Sequence, residues 1–182
     1  MLFRSDTVLA DFSAAPLEQG GERFDFHTRD GRFWVRAAGA DGIPQEFEVL
    51  YCFGVEPLQQ YLVPLPGGRL QALGVAWDAR PASEGGQRWF HLHPEESVPP
   101  GDVLHWTGPA GSWNAQCADC HSTNVSKGYR TDGSYEPSWS ETDVSCEACH
   151  GPGSGHVSWA DAGADPAVTD RGLVVDLRDE RA

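Results

Sequence analysis

Between residues 22 and 80 apolar and polar side chains alternate in short runs, the two-residue period of strands with one face buried. In Arg23-Phe24-Asp25-Phe26-His27 the two phenylalanines share a face, and Arg32-Phe33-Trp34-Val35-Arg36 repeats the pattern after Thr28-Arg29-Asp30-Gly31. The Asp-Gly pair predicts a tight turn, so the two runs read as a hairpin. Further runs at Glu46–Tyr51, Gln60–Val63 and Arg69–Trp77, the last two separated by Pro66-Gly67-Gly68, extend this into a small, mostly antiparallel sheet. Trp34 and Trp77 are expected in its core.

The pattern then changes. Residues 81–111, punctuated by Pro81, Pro94 and Pro99-Pro100, read as an irregular connection, and loops of that length commonly carry function or wrap around something. From 112 to 164 the signals are those of short helices. Ser112 is placed to start one that bears Cys117, Cys120 and His121; Ser140, followed by three residues with two acids, predicts another over about 141–150, stopped by Gly151-Pro152. The expected fold class is α+β: an N-terminal segment 1–21, a β-rich part 22–80, the connection 81–111, a loop-rich module 112–164 with short helices, and a tail 165–182. In that tail Leu173-Val174-Val175 resembles a strand cut off before its partner. Leu2-Phe3-Arg4-Ser5 matches the translation of an adapter tail, so residues 1–5 are expected to be non-native and the reading frame a piece of a longer one.

Composition narrows the function. With 13 basic against 27 acidic residues the net charge is −14, which repels phosphate backbones and anionic lipid heads, so nucleic acid is an unfavourable partner. No run approaches the roughly 18 apolar residues of a membrane span, and no signal peptide opens the chain. The five cysteines, seven histidines and single methionine are the informative counts.

Four of the cysteines stand in Cys117-Ala118-Asp119-Cys120-His121 and Cys146-Glu147-Ala148-Cys149-His150, both with the Cys-x-x-Cys-His spacing of covalent haem c attachment. Residues i, i+3 and i+4 share a helix face, so two thiols reach one porphyrin edge while the imidazole reaches the iron. Random placement of these residue types would give about 0.005 such motifs, so two are not coincidence. The competing readings are a four-cysteine zinc ribbon and a redox dithiol. The 25 residues between the pairs exceed the usual ribbon loop of about 15–20 and the ribbon leaves the paired histidines unexplained, while neither pair follows a strand in the βαβ pattern of a redox dithiol. Cys52, within a strand pattern, reads as a buried thiol.

With Met1 at the terminus, a methionine ligand is improbable, and bis-histidine iron of low potential is expected, with an open iron as the alternative. The distal candidates are His156, then His105, then His91; His93 and His27 read as ordinary surface or sheet residues. His156 lies six residues past His150, a short span for wrapping the edge of the same haem, so it is expected to serve another. Trp106, Trp113, Trp139 and Trp159 bracket the motifs and could cover porphyrin faces. Arg23, Arg29, Arg69, Arg88 and Arg130 are candidates for pairing with haem propionates.

The run Trp113–Asn124, with Trp139-Ser140-Glu141 and Cys146 through His156, resembles bacterial multihaem cytochromes c, the type related to the nitrifier tetrahaem cytochrome c and often fused to tetratricopeptide repeats. The likeness extends upstream through Phe53-Gly54-Val55, Pro57–Tyr61, Gln87–His91 and Leu104–Gly108. It implies two haem c groups here, more in the full-length protein, neighbouring haem modules and a repeat array lost by truncation, and a distal role for His156 on another haem. The function expected is electron relay between redox proteins, the partner offering a basic docking surface to this acidic chain. The alternatives are part of a multihaem reductase or oxidase with one open iron acting on a small nitrogen or sulfur compound, a sensor or scaffold, and a structural zinc module. Because haem c is attached outside the cytoplasm, a periplasmic location is expected, the missing signal peptide being assigned to truncation.

Overall fold

A computed structural model describes residues 7–179; the expectation about residues 1–5 falls outside them. The chain forms two compact units, Met1–Ala118 with Lys127–Pro137, and Asp119–Ser126 with Ser138–Ala182. The fold class is α+β, as expected.

Among the described residues the first unit holds eight strands in two antiparallel sheets of four, where the alternation alone implies one sheet. Strands β1 (Leu17–Gln19), β2 (Glu22–Arg29), β3 (Arg32–Ala38) and β4 (Pro44–Glu48) pair in chain order. So do β5 (Tyr51–Phe53), β6 (Leu58–Leu65), β7 (Arg69–Asp78) and β8 (Arg88–His91). The β2–β3 hairpin turns on Asp30 and Gly31, at φ 52° and 72°, the paired positive values that make an Asp-Gly turn match the twist of its strands. The run 46–51 is broken at Val49-Leu50, where the chain leaves one sheet for the other. Strand β8 lies inside the segment 81–111 read as irregular; Trp89 and Phe90 supply its strand character, and it pairs antiparallel with β7.

Phe24, Phe26, Val35 and Phe47 from the first sheet and Tyr61, Val63, Val75, Trp77 and Trp89 from the second form one buried core, closed by Phe12 and Trp106. Trp89 stacks on Phe26 at 3.8 Å with the rings 4° from parallel, and its Nε1 donates to the Asp11 carbonyl at 3.0 Å. Trp77 lies in this core as expected. Trp34 does not: period two sets it beside Arg32 and Arg36 on the outer face, where it is half-buried under the Arg29 guanidinium, 4.1 Å from its ring centroid. Cys52 is a buried thiol, and burial pushes its pKa up.

At the end of β7, Asp78 accepts from the Arg80 backbone at 3.1 Å and from its guanidinium at 2.6 and 3.0 Å, which holds the carboxyl down to about 2 against an ordinary 3.8. A depressed carboxylate contributes stability above its unfolded pKa and loses it as pH falls through the folded one. Asp78→Asn is therefore expected to flatten the fall in urea midpoint between about pH 4 and 2, measured by tryptophan fluorescence.

The second unit is built differently. Thr123 pairs with Glu141: Thr123 N–H donates to the Glu141 carbonyl at 3.1 Å, and Ser140 N–H donates back to the Thr123 carbonyl at 3.0 Å. Thr123 Oγ1 also donates to the Asp143 carbonyl at 2.8 Å and accepts from Ser145 N–H at 2.9 Å. These bonds hold 140–145 in a bent, non-helical path, so the helix expected from 141 begins only at Glu147, whose N–H donates to Ser145 Oγ at 3.3 Å. Its N-cap is Cys146, not Ser140.

Candidate functional site

Both Cys-x-x-Cys-His segments fold as single helical turns. The first spans α1 (Trp113–Gln116) and α2 (Ala118–His121), with Cys117 between them. Within the first unit α1 is anchored by Asn114, which is buried, accepts from Leu70 N–H at 2.7 Å and donates to the Gly68 carbonyl at 3.3 Å. The second is α3 (Glu147–His150), followed by α4 (Ser154–Asp161). His150 N–H donates to the Cys146 carbonyl at 2.9 Å, so thiol and imidazole stand one helical turn apart. Cys120, Cys146 and Cys149 are exposed, Cys117 is half-buried, and no disulfide joins any of the five cysteines.

Within the second unit Cys146, His150 and His156 line one cavity of about 510 Å3, together with Leu173, Leu177 and the guanidinium-bearing Arg171 and Arg178. The sequence had separated His156 from His150 as ligands of different haems; the structure places both on this one cavity. Their hydrogen bonds are alike. His150 Nδ1–H donates to the Val175 carbonyl at 2.9 Å, and His156 Nδ1–H to the Arg171 carbonyl at 2.8 Å. In each ring the proton is therefore on Nδ1 and the lone pair on Nε2, the arrangement of a metal-ligating histidine oriented by a backbone acceptor. The indole of Trp159 stacks on the His156 ring at 5.4 Å.

His91 and His105, in the first unit, are held the opposite way. His91 Nδ1 accepts the His93 N–H at 3.1 Å, and His105 Nδ1 accepts the Thr107 N–H at 3.3 Å. Each ring proton is thus on Nε2, and both Nε2 atoms face one carboxylate, that of Glu22: 2.9 Å from His91 to Oε2 and 3.0 Å from His105 to Oε1. For His91 this is the arrangement of a histidine satisfied within a core, whereas His105 Nε2 and Glu22 Oε1 are close but make no hydrogen bond, and either histidine would have to exchange its proton to bind iron. Glu22 and His91 border a second cavity, of about 470 Å3, whose wall includes Cys117, Trp106 and the exposed His93. His93, read from sequence as an ordinary residue, thus shares a cavity with a motif cysteine. Trp113, beside Cys117 in sequence, is fully buried.

The arginines named from sequence are engaged elsewhere. Arg23 pairs with Glu18 and Asp25, Arg29 with Glu46, and Arg130 with Glu136; Arg69 donates to Gln71 and the Thr107 carbonyl, and Arg88 to the Gly85 carbonyl. Arg171 and Arg178, which border the Cys146 cavity, carried no sequence signal beyond their charge.

The Cys146 cavity has what a covalently attached haem needs: the exposed Cys146 thiol on its wall with Cys149 exposed on the same turn, an imidazole one turn away with its lone pair on Nε2, Leu173 and Leu177 for a porphyrin and the Arg171 guanidinium for a carboxylate. A zinc ribbon finds no matching geometry. Among the described residues no group of three or more Cys, His, Asp or Glu side chains is arranged to hold a metal ion. No described helix is long and apolar enough to cross a membrane.

No curated protein and no solved structure matches the chain. One family model does: that described as cytochrome c554 and c-prime, over residues 105–151, a stretch containing both Cys-x-x-Cys-His motifs and ending one residue past His150. The match relates this chain to the c-type cytochromes and supports haem c as its cofactor and electron transfer as its role.

Proposed function

We propose that the chain is a multihaem module that binds two haem c groups and relays electrons between redox proteins. The observation that carries this reading is the pair of Cys-x-x-Cys-His helical turns, the second with its imidazole lone pair already fixed on Nε2. Haem c supplies a one-electron couple when bound. Cys117 with Cys120, and Cys146 with Cys149, tether the two groups, and His121 and His150 bind the iron atoms from the proximal side. His156, with the same Nδ1-to-carbonyl bond as His150, is the first choice of distal ligand; the proton on Nε2 removes His91 and His105 from the first rank.

Two histidine ligands and no methionine place the potential low, because methionine ligation raises it. Arg171 is placed to offset propionate charge beside the second group, Arg178 being paired with Asp176. The net charge of −14 favours a partner with a basic docking patch and a rate of association that falls with salt. We assign the mature protein to the periplasm, where haem c is attached.

The relay reading is tested by electron paramagnetic resonance on protein matured in a host with haem c machinery. Two low-spin ferric centres unaffected by cyanide are expected. A high-spin centre that binds cyanide would instead favour a reductase or oxidase with an open iron.

A further inference from the structure

We infer that residues 171–178, beyond the family match, form a strap whose backbone carbonyls orient the imidazoles of His150 and His156. This rests on the haem reading of the cavity and adds a positioning device to it. Three bonds tie the strap to the motif. Arg171 carbonyl accepts from His156 Nδ1–H at 2.8 Å, Val175 carbonyl accepts from His150 Nδ1–H at 2.9 Å, and Val175 N–H donates to the His150 carbonyl at 3.1 Å. Val175 therefore grips His150 at both its side chain and its backbone.

The strap reaches this position because two glycines let the backbones touch. Gly172 has φ 70°, and a Cβ there would lie 2.5 Å from the Gly155 carbonyl oxygen and 3.0 Å from His156 N. A Cβ on Gly155 would meet the Gly172 carbonyl oxygen at 2.6 Å. Both contacts are with backbone, which cannot swing aside as a flexible side chain could. The ends are fixed as well: Gly172 N–H donates to Asp170 Oδ1 at 2.8 Å, and Arg178 donates to the Thr169 carbonyl at 2.5 Å and to the Asp176 carboxylate. Arg178 holds the Asp176 carboxyl well below the usual carboxylate range, so this clip stays charged through neutral and mildly acid pH.

A carbonyl that accepts from Nδ1–H fixes the ring plane and the tautomer and makes Nε2 a stronger donor to a metal. A stronger donor favours the ferric state and lowers the potential. Lifting the strap is therefore expected to raise the potential of the haem held at Cys146 and Cys149 without releasing it, since the thioether bonds remain.

The test compares the full chain, matured with haem, with Gly172→Ala and Gly155→Ala, and with Val174→Ala as a control that leaves every strap carbonyl in place. In the glycine variants the expected result is unchanged covalent haem, an upward shift of one midpoint potential and altered low-spin g-values, with Val174→Ala matching wild type. Should the glycine variants not accumulate, wild type labelled with 15N-histidine decides: slow solvent exchange of the Nδ1–H protons assigned to His150 and His156, as distinct from the buried Nε2–H protons of His91 and His105, supports the strap. Haem-loaded glycine variants with wild-type potential and g-values overturn it, as does rapid exchange at both imidazoles. A wild type without covalent haem overturns the haem reading and the strap's role together.

Discussion

Serine at both Cys146 and Cys149 is expected to remove about half of the covalently held haem from the chain, read as pyridine haemochrome per polypeptide after acid–acetone extraction. The thiols are exposed, they lie on one helical turn with His150, and they have no partner in a disulfide, so their loss removes both tethers and disturbs little packing. The corresponding double serine variant at Cys117 and Cys120 is expected to remove the other half. Cys52→Ser is the internal contrast. That thiol is buried in the first unit, outside both motifs, so its replacement is expected to lower stability and leave haem content unchanged. Haem content unaltered by either double variant would contradict attachment at these motifs.

The largest effect on folding is expected at Trp89. Its side chain is 5 % exposed, stacks on Phe26 and meets Phe12 edge-on at 5.3 Å, so it joins the two sheets to the N-terminal segment. Trp89→Ala removes those contacts, leaves a cavity that rigid sheets fill poorly, and orphans the Asp11 carbonyl; a loss of about 3–5 kcal/mol is expected. A urea titration of the apoprotein measures it. A loss below about 1 kcal/mol would show that the sheets repack around the gap.

What could be read from sequence divides along physical lines. The two Cys-x-x-Cys-His motifs were legible because they depend on side-chain identity at fixed spacing, and the β2–β3 hairpin because period two and an Asp-Gly turn are local signals. Strand partners were not, because alternation reports which face is buried and says nothing about which strands pair; eight strands therefore divide into two sheets where one was expected. The helix start at Ser140 failed because a side-chain cap competed with the pairing of Thr123 and Glu141, a contact across the sequence that no local pattern announces.

The histidines show the same boundary more sharply. His91, His105, His150 and His156 are alike as letters, yet a backbone N–H on Nδ1 in the first two and a backbone carbonyl on Nδ1 in the last two give opposite tautomers. Glu22, which meets both imidazoles of the first pair, is 69 residues from His91 and carried no signal. The strap was invisible for a related reason: it acts through carbonyls, which every residue has, and Leu173-Val174-Val175 read as a strand cut off before its partner, where the structure forms bends and no strand. Gly155 and Gly172 were the one available hint, and their meaning depends on a contact between segments.

The central claim, that this chain carries haem c at two sites, is tested most directly by the intact mass of the protein matured with haem c machinery and then denatured. The account predicts the polypeptide mass plus two haem groups, falling to one in the Cys146→Ser/Cys149→Ser variant. A mass equal to the bare polypeptide, with thiols that all react with an alkylating reagent, would contradict it.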